Sequence, residues 1–438
     1  MKISKSEFAQ RRKRLMAEMA PESVAIIPAA REVTRSRDTE YPFRQNSDFL
    51  YLTGFEEPDA VLVLVPGRRQ GQVIMFCRDR DPELELWNGY RQGPEGVVKN
   101  FGMNDAYPES DVDDIIPGLI EGRSTIYYSM GHDDQFDRRV LSWVNQIRAK
   151  VRNGAKPPGD ISDLAFLLHE HRLIKSDAEL KIMQKASDIS ADAHCRAMKE
   201  SRAGRFEYHL ESAICHTFSE NGARHPAYNS IVGSGKNACV LHYTENNARM
   251  EDGDLVLIDA GCEYQGYAAD ITRTFPVNGK FSEPQRALYD LVLKSQLAAI
   301  ASVKPGKKWN TPHDVTVRVI TQGLVELGLL KGDVKTLIGE GAYRDFYMHR
   351  AGHWLGLDVH DVGEYRIDGK WRPLEPGMVL TIEPGIYVAA DNKKVAQKWR
   401  GIGIRIEDDV VVTESGCEVL THRVPKTADA IEALMAAA

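Results

Sequence analysis

What this 438-residue chain lacks narrows its class before any motif is read. Its six cysteines (Cys77, Cys195, Cys215, Cys239, Cys262 and Cys417) are scattered without a CxxC pair. That excludes a zinc ribbon and, in so long a chain, a disulfide framework, and leaves small buried hydrophobes of a reducing compartment. No apolar run approaches the roughly 18 to 20 residues of a bilayer span; "VLVLVPG" stops at Pro66. Positive charge is not in excess: the formal net charge is −7, which gives no electrostatic footprint for nucleic acid or anionic lipid. There is no Gly-x-Ser-x-Gly elbow for a serine nucleophile. "VGSGKNACV", residues 232–240, lacks the GxxxxGK[ST] spacing of a phosphate loop and reads as a turn near the substrate. The amino-terminal "MKISKSEFAQRRKRLMAEM" has an arginine pair but no apolar core behind it, so it reads as an amphipathic surface helix, not a secretory or twin-arginine signal. A cytoplasmic protein with no membrane or nucleic-acid partner is expected.

What is present is ordinary globular composition at a length that suggests two or three domains. In the first third, "SVAIIPA", "AVLVLVPG", "QVIMFC" and "STIYYSM" read as strands with helical patterns between them, an α/β domain. "VRNGAKPPGDISD" then gathers Gly, Pro and polar residues, and "KSDAEL" offers a Ser-x-x-Glu capping box at the head of a long helical pattern. The boundary is placed there, giving domains 1–173 and 174–438. After residue 230, strand-like segments ("GDLVLIDAG", "GYAADITRTF", "GMVLTIEPGIYV", "GIGIRIEDDVVV") are interrupted by one long helical region, about residues 283–328, an α+β pattern. The Ala-rich "IEALMAAA" at the end reads as a frayed helix.

Chemistry gathers in that second half. If "LIDAGCEYQGYAADITRTF" forms a hairpin turning at Tyr264–Tyr267, Asp259 and Asp270 share one face as direct or diagonal neighbours. Two carboxylates so placed repel, and either a shared cation or separate partners at the strand ends must account for them. "HRAGHWLGLDVHDVG" carries His349, His353 and His360, which are ligands, donors or structural histidines. Glu383 ends the apolar "MVLTIEPG", either exposed to a cleft or solvated. "GIGIRIEDD" puts Arg405 and Glu407 on one face and Ile404 and Ile406 on the other, which an ordinary ion pair would also explain. Taken together, two Asp, two Glu and one His form a hard, oxygen-rich donor set suited to Mn²⁺, Co²⁺ or Fe²⁺. Four carboxylates match two divalent cations, and a water between two such ions, about 3.5 to 4 Å apart, would be a nucleophile near neutral pH.

These motifs, with "SRDTEYPFRQNSDFLYLTGFEEPDA" in the first half and "LHYTEN" in the second, resemble the aminopeptidase P family of pita-bread metallopeptidases. The resemblance implies an α/β amino-terminal domain, serving substrate access and oligomerisation, followed by an α+β pita-bread (creatinase/aminopeptidase) catalytic domain. It implies release of the N-terminal residue from peptides with proline in second position, by a hydroxide between two divalent ions, with Mn²⁺ expected and Co²⁺, Fe²⁺ or Zn²⁺ as alternatives. By position, Asp259 would bind one metal, Asp270 and Glu407 would bridge, and His353 and Glu383 would complete the second. His242 and His360 would stabilise the oxyanion or orient the peptide, Glu383 would also carry the proton to the leaving nitrogen, and Arg405 would hold a bridging carboxylate. His349 and Tyr387 would line the site. Asp38, Trp87 and Arg152 would act from the first domain, across a subunit contact in a homo-oligomer, a dimer or tetramer. One departure is visible: Arg350 and Ala351 stand where the family pattern has a small residue and a larger aliphatic one.

The rival within the same chemistry is a prolidase restricted to Xaa-Pro dipeptides, with organophosphate hydrolysis as a side activity. The rival from another class is a catalytically dead pita-bread domain that binds peptides, and it requires lost ligands, whereas all five stand in this sequence.

Overall fold

The computed structural model describes residues 2–437 and divides into two compact units, Lys2–His171 and the chain from Arg172 onward. In the first, strands β1 (Ser23–Pro28), β2 (Val61–Leu64), β3 (Val73–Cys77), β4 (Asp105–Pro108), β5 (Thr125–Tyr127) and β6 (Asp160–Ser162) form one sheet in the order β4-β3-β2-β1-β5-β6. Pairs β1–β2 and β2–β3 are antiparallel and the rest parallel. Helices α1 (Lys5–Glu18), α2 (Val112–Ile120) and α3 (Asp134–Ala149) belong to this unit, and Ile116, Val140 and Trp143 pack with Ile26, Val63 and Ile74 in its core. The amino-terminal segment is helical, capped by Ser4, but its arginine pair is not on a wet face. Arg12 is buried and donates to the carbonyls of Leu52 and Gly102, while Arg11 stacks 4.1 Å from the Tyr51 ring and pairs with Glu7. A guanidinium satisfies orphan carbonyls at a turn or helix end well, and charge count alone cannot reveal that use.

The second unit begins on helix α4 (Asp177–Glu200), whose Ser176–Glu179 capping box closes as the sequence suggests. It packs against α5 (Glu207–Glu220). The long helical region expected over 283–328 is two helices, α6 (Glu283–Ser302) and α7 (Thr311–Glu326), packed against each other. Pro305 cannot continue the ladder and Gly306 has φ +76°, so the chain must turn there. The last helix, Ala428–Ala436, is anchored by the Thr427 cap and by a fully buried Ile431.

Two bent ribbons form the heart of this unit. In the first, β8 (Leu255–Asp259) pairs with β7 (Ile231–Ser234) on one side and β11 (Thr272–Pro276) on the other, and β9 (Cys262–Tyr264) pairs with β10 (Tyr267–Ala268). The two-residue loop Gln265–Gly266 has φ +51° and +84°, the type I′ geometry whose twist suits a hairpin. Both halves keep one register, and Ala260 and Ala269 continue the ladder through Ile271 O and Cys262 O. Asp259 therefore sits opposite Thr272, diagonal to Asp270. In the second ribbon β12 (Val379–Ile382) pairs with β15 (Asp408–Val412), and β13 (Gly385–Val388) with β14 (Ile402–Arg405). The shared register puts Glu383 directly opposite Glu407. Each ribbon thus carries its two acids at its bend.

Gly261 makes the first bend tight. A Cβ on it would lie 1.7 Å from the Ala269 carbonyl oxygen, which is backbone and cannot rotate away. Gly261→Ala is expected to destabilise this unit by about 2 kcal/mol or more, the upper part of the overpacking range. The check is a denaturation midpoint followed by a probe of the second unit, and an unchanged midpoint would mean the bend is softer than this contact requires.

Candidate metal centre

A cavity of about 400 Å³ opens onto both bends and is lined by residues of the second unit only. It gathers Asp259, Asp270, His353, Glu383 and Glu407, together with His242, His349, His360 and Arg405, from segments spread over more than 160 residues of sequence. Tyr387 stands behind the wall, in contact with His349 and Arg405. Asp38, Trp87 and Arg152 belong to the first unit and are exposed there.

The ribbons are locked together beside the acids. Arg273, wholly buried, donates to Glu407 O at 2.5 Å and to Asp408 Oδ1 at 2.7 Å, and Asp270 N donates to Asp409 Oδ2 at 3.0 Å. The Thr272 hydroxyl accepts from Arg405 Nε at 3.2 Å and donates to Glu407 Oε2 at 2.5 Å. Oxygen atoms of Asp270 and Glu407 and a ring nitrogen of His353 consequently lie within 4.8 Å of one another, close enough to hold one metal ion. Glu383 Oε1 is 3.7 Å from His353 Nε2. Asp259 stands apart from that trio. Its Oδ2 accepts from Arg405 Nη2 at 2.7 Å and its Oδ1 from the Tyr228 hydroxyl at 2.6 Å. The guanidinium expected to hold a bridging carboxylate therefore grips Asp259, and it reaches Glu407 only through Thr272.

Electrostatics make the acids unlike ordinary carboxylates. Burial raises Glu407 well above its normal pKa, and repulsion from Asp270, Glu383 and Asp259 adds to it. Burial pushes Glu383 up to about 7 despite the attraction of His353 and Arg405. Asp270 is raised by burial and then by the charge of Asp259. Burial would raise Asp259 too, but Arg405 and the Tyr228 hydrogen bond outweigh it and hold this carboxyl below the usual range. Tyr228 also sits 2.5 Å from Asp270 Oδ1, and one hydroxyl proton cannot serve both aspartates. Like-charged carboxylates so packed need protons or cations between them. A hard, carboxylate-rich donor set with one imidazole fits divalent metal ions.

The histidines differ in what they can do. His353 Nδ1 faces Trp354 O at 2.9 Å, an acceptor, so Nδ1 carries the proton and Nε2 is the atom turned to the acids. Burial lowers the pKa of His353, yet Asp270 and Glu383 together lift it to about 9. His349 is held down to about 3 by burial and by Arg405, hence neutral. Its Nδ1 donates to Arg350 O at 2.7 Å, and its Nε2 accepts from Tyr387, which in turn accepts from Arg405. His360 is also lowered, by burial and by His353, whose ring lies 4.4 Å away. His242 is exposed in the cavity wall.

Sequence reasoning missed Tyr228 and Thr272, because neither stands in a recognisable spacing; they matter only once the ribbons cross. Among the described residues none of "VGSGKNACV" itself lines the cavity, but Ile231 before it and Leu241 and His242 after it do, so the stretch lies next to the site. The loop itself packs on the second ribbon, where a Cβ on Gly403 would lie 2.2 Å from Ala238 O. Buried Glu207 holds it by accepting from Ser234 N, Ser234 Oγ and Asn237 Nδ2, with Tyr243 and Ala248 N on its other oxygen.

The model of metallopeptidase family M24 matches residues 181–414, and that of the aminopeptidase P N-terminal domain matches residues 8–127. The chain is 50% identical to the Xaa-Pro aminopeptidase of Escherichia coli (strain K12) over 437 residues, covering 100% of this chain and 99% of the relative. It is 49% identical to that of Haemophilus influenzae, covering 99% and 98%. Among solved structures, Pseudomonas aeruginosa aminopeptidase PepP superposes with a TM-score of 0.99 at 60% identity, covering 100% of this chain and 99% of that one. Zn-substituted E. coli aminopeptidase P in complex with product superposes with a TM-score of 0.97 at 50% identity and the same coverage. Nearly full-length identity at this level, with the acids and histidine meeting in one cavity, places the chain in metallopeptidase family M24, with an aminopeptidase P N-terminal domain ahead of its pita-bread catalytic domain.

Proposed function

We propose that this chain is a Xaa-Pro aminopeptidase that removes the N-terminal residue from peptides with proline in second position. The convergence of four carboxylates, two buried and two half-buried, and the His353 imidazole in one substrate-sized cavity carries the reading, and similarity to Xaa-Pro aminopeptidases along the whole chain supports the specificity. Asp270, His353, Glu383 and Glu407 are the residues to hold one divalent cation, with Asp259 holding a second that would share Asp270 and Glu407; Mn²⁺ is the metal proposed. Bound cations would neutralise the carboxylates, polarise the scissile carbonyl and provide an acidified water.

The chain's own groups do the rest. Arg405 holds Asp259 in place as a ligand. His242 and His360 reach into the cavity and present N–H donors where negative charge grows on the carbonyl oxygen. Glu383, with a carboxyl pushed up to about 7, is suited to carry a proton to the prolyl nitrogen as it leaves. Asp38, Trp87 and Arg152 are proposed to border the site in a homo-oligomer. Trp87, Leu86 and Tyr90 are 82%, 84% and 91% exposed, an apolar group that a second copy would cover. Six free thiols suit a reducing cytoplasm, and no helix among the described residues is long and apolar enough to cross a membrane.

The test is release of the N-terminal residue from an Xaa-Pro-Xaa tripeptide and from an Xaa-Pro dipeptide by the Mn²⁺-loaded chain, with metal content measured first. The tripeptide should be the better substrate. Strict restriction to the dipeptide would make the protein a prolidase.

A further inference from the structure

We propose that Arg350 determines substrate preference by taking a peptide carboxylate on the leaving side of the scissile bond, an inference that rests on the Xaa-Pro reading above. Two arginines line the cavity, Arg350 and Arg405. Arg405 is buried and bound to Asp259, Thr272 and Tyr387. Arg350 is exposed at the rim, one residue from His349, whose ring lies 3.8 Å from Glu383. Its guanidinium donates to the neutral side-chain oxygen of Asn310 and lies 4.9 Å from the centre of the Trp371 ring. Arg366 lies 4.0 Å from the same ring. Among the described residues no carboxylate is within ion-pair distance of either guanidinium.

Two like charges on one indole, without an acid between them, form a site that an anion completes. Arginine is the side chain best shaped for it, since its planar fork engages both oxygens of a carboxylate while one face stays on the aromatic ring. The reaction gives the anion its direction. Removal of a single N-terminal residue puts the short end of the peptide beyond the ribbon bends, so the leaving side runs out to the rim, where Arg350 draws negative charge. An extended chain advances about 3.3 to 3.6 Å per residue, so the C-terminal carboxylate of a tripeptide trails the scissile bond by about two such steps. An acidic side chain just after the proline would present the same group on a longer peptide.

The experiment measures kcat and KM of the Mn²⁺-loaded full chain and of Arg350→Met on two pairs of probes: Ala-Pro-Ala as free acid and as C-terminal amide, and Ala-Pro-Glu-Ala-amide against Ala-Pro-Gln-Ala-amide. The parent protein should favour the carboxylate member of at least one pair, and the first pair reads the C-terminus as source while the second reads the side chain. Arg350→Met should lower that preference about tenfold, mostly through KM, which corresponds to roughly 1.4 kcal/mol. Arg350→Lys should recover part of it. An equal fall on both members of each pair, or no change in either ratio, would overturn the assignment to a carboxylate. Absence of turnover on all four probes by the metal-loaded parent would instead sink the Xaa-Pro reading, and this one with it.

Discussion

Replacing Glu407 with alanine should remove both bound metal and turnover, down to background. Glu407 is one of the three groups that converge within 4.8 Å, and its oxygen is aimed by the Thr272 hydroxyl at 2.5 Å. The main chain behind it is fixed by Arg273, so no neighbouring acid can move in to substitute. Burial and the surrounding carboxylates raise its pKa well above normal, which means the folded protein accepts an ionised Glu407 only beside compensating positive charge. The energy that disfavours the bare anion is the energy a cation recovers on binding. Metal content by elemental analysis and turnover on an Xaa-Pro-Xaa peptide are the two readings, with a thermal melt to show that the variant folds. Normal metal content with full activity would refute the site model.

The second large effect is expected at His360, and it should separate from the first. His360→Ala should keep its metal yet lose about 10²- to 10³-fold in kcat, the range seen when one oxyanion donor is removed. The ring lines the cavity and stacks edge-on to His353, at an interplanar angle of 82°, without a hydrogen bond to any of the four acids among the described residues. It is therefore placed to meet a substrate and not to bind a cation. Burial and the neighbouring His353 lower its pKa, so at neutral pH it acts as an uncharged donor. Loss of metal in this variant would mean that His360 helps form the metal site after all.

Much of this was legible without coordinates. Gly266 accepts the positive φ of a two-residue turn, and one register follows on both sides of it; the hairpin holding Asp259 and Asp270 could be drawn from local chemistry alone. The Ser176–Glu179 cap is likewise a property of four consecutive residues. Long-range relations were not legible. The buried Arg11 and Arg12 satisfy carbonyls some 40 residues away, and a pair of adjacent arginines looks the same in sequence whether it faces water or backbone. The split between α6 and α7, by contrast, is written locally, since Pro305 followed by Gly306 interrupts a helix wherever it stands.

By itself, then, the sequence determined the types of ligand, their order along the chain and the hairpin that carries two of them, because ligand chemistry and turn geometry are local. Only the tertiary structure decided that Glu383 faces Glu407, that Arg405 grips Asp259 and touches Glu407 through Thr272, and that Tyr228 spans both aspartates. Those relations depend on two ribbons bending and crossing with their acids at the bends. Contacts across more than 100 residues are set by packing and hydrogen bonding of the whole unit, which no spacing of residues along the chain records.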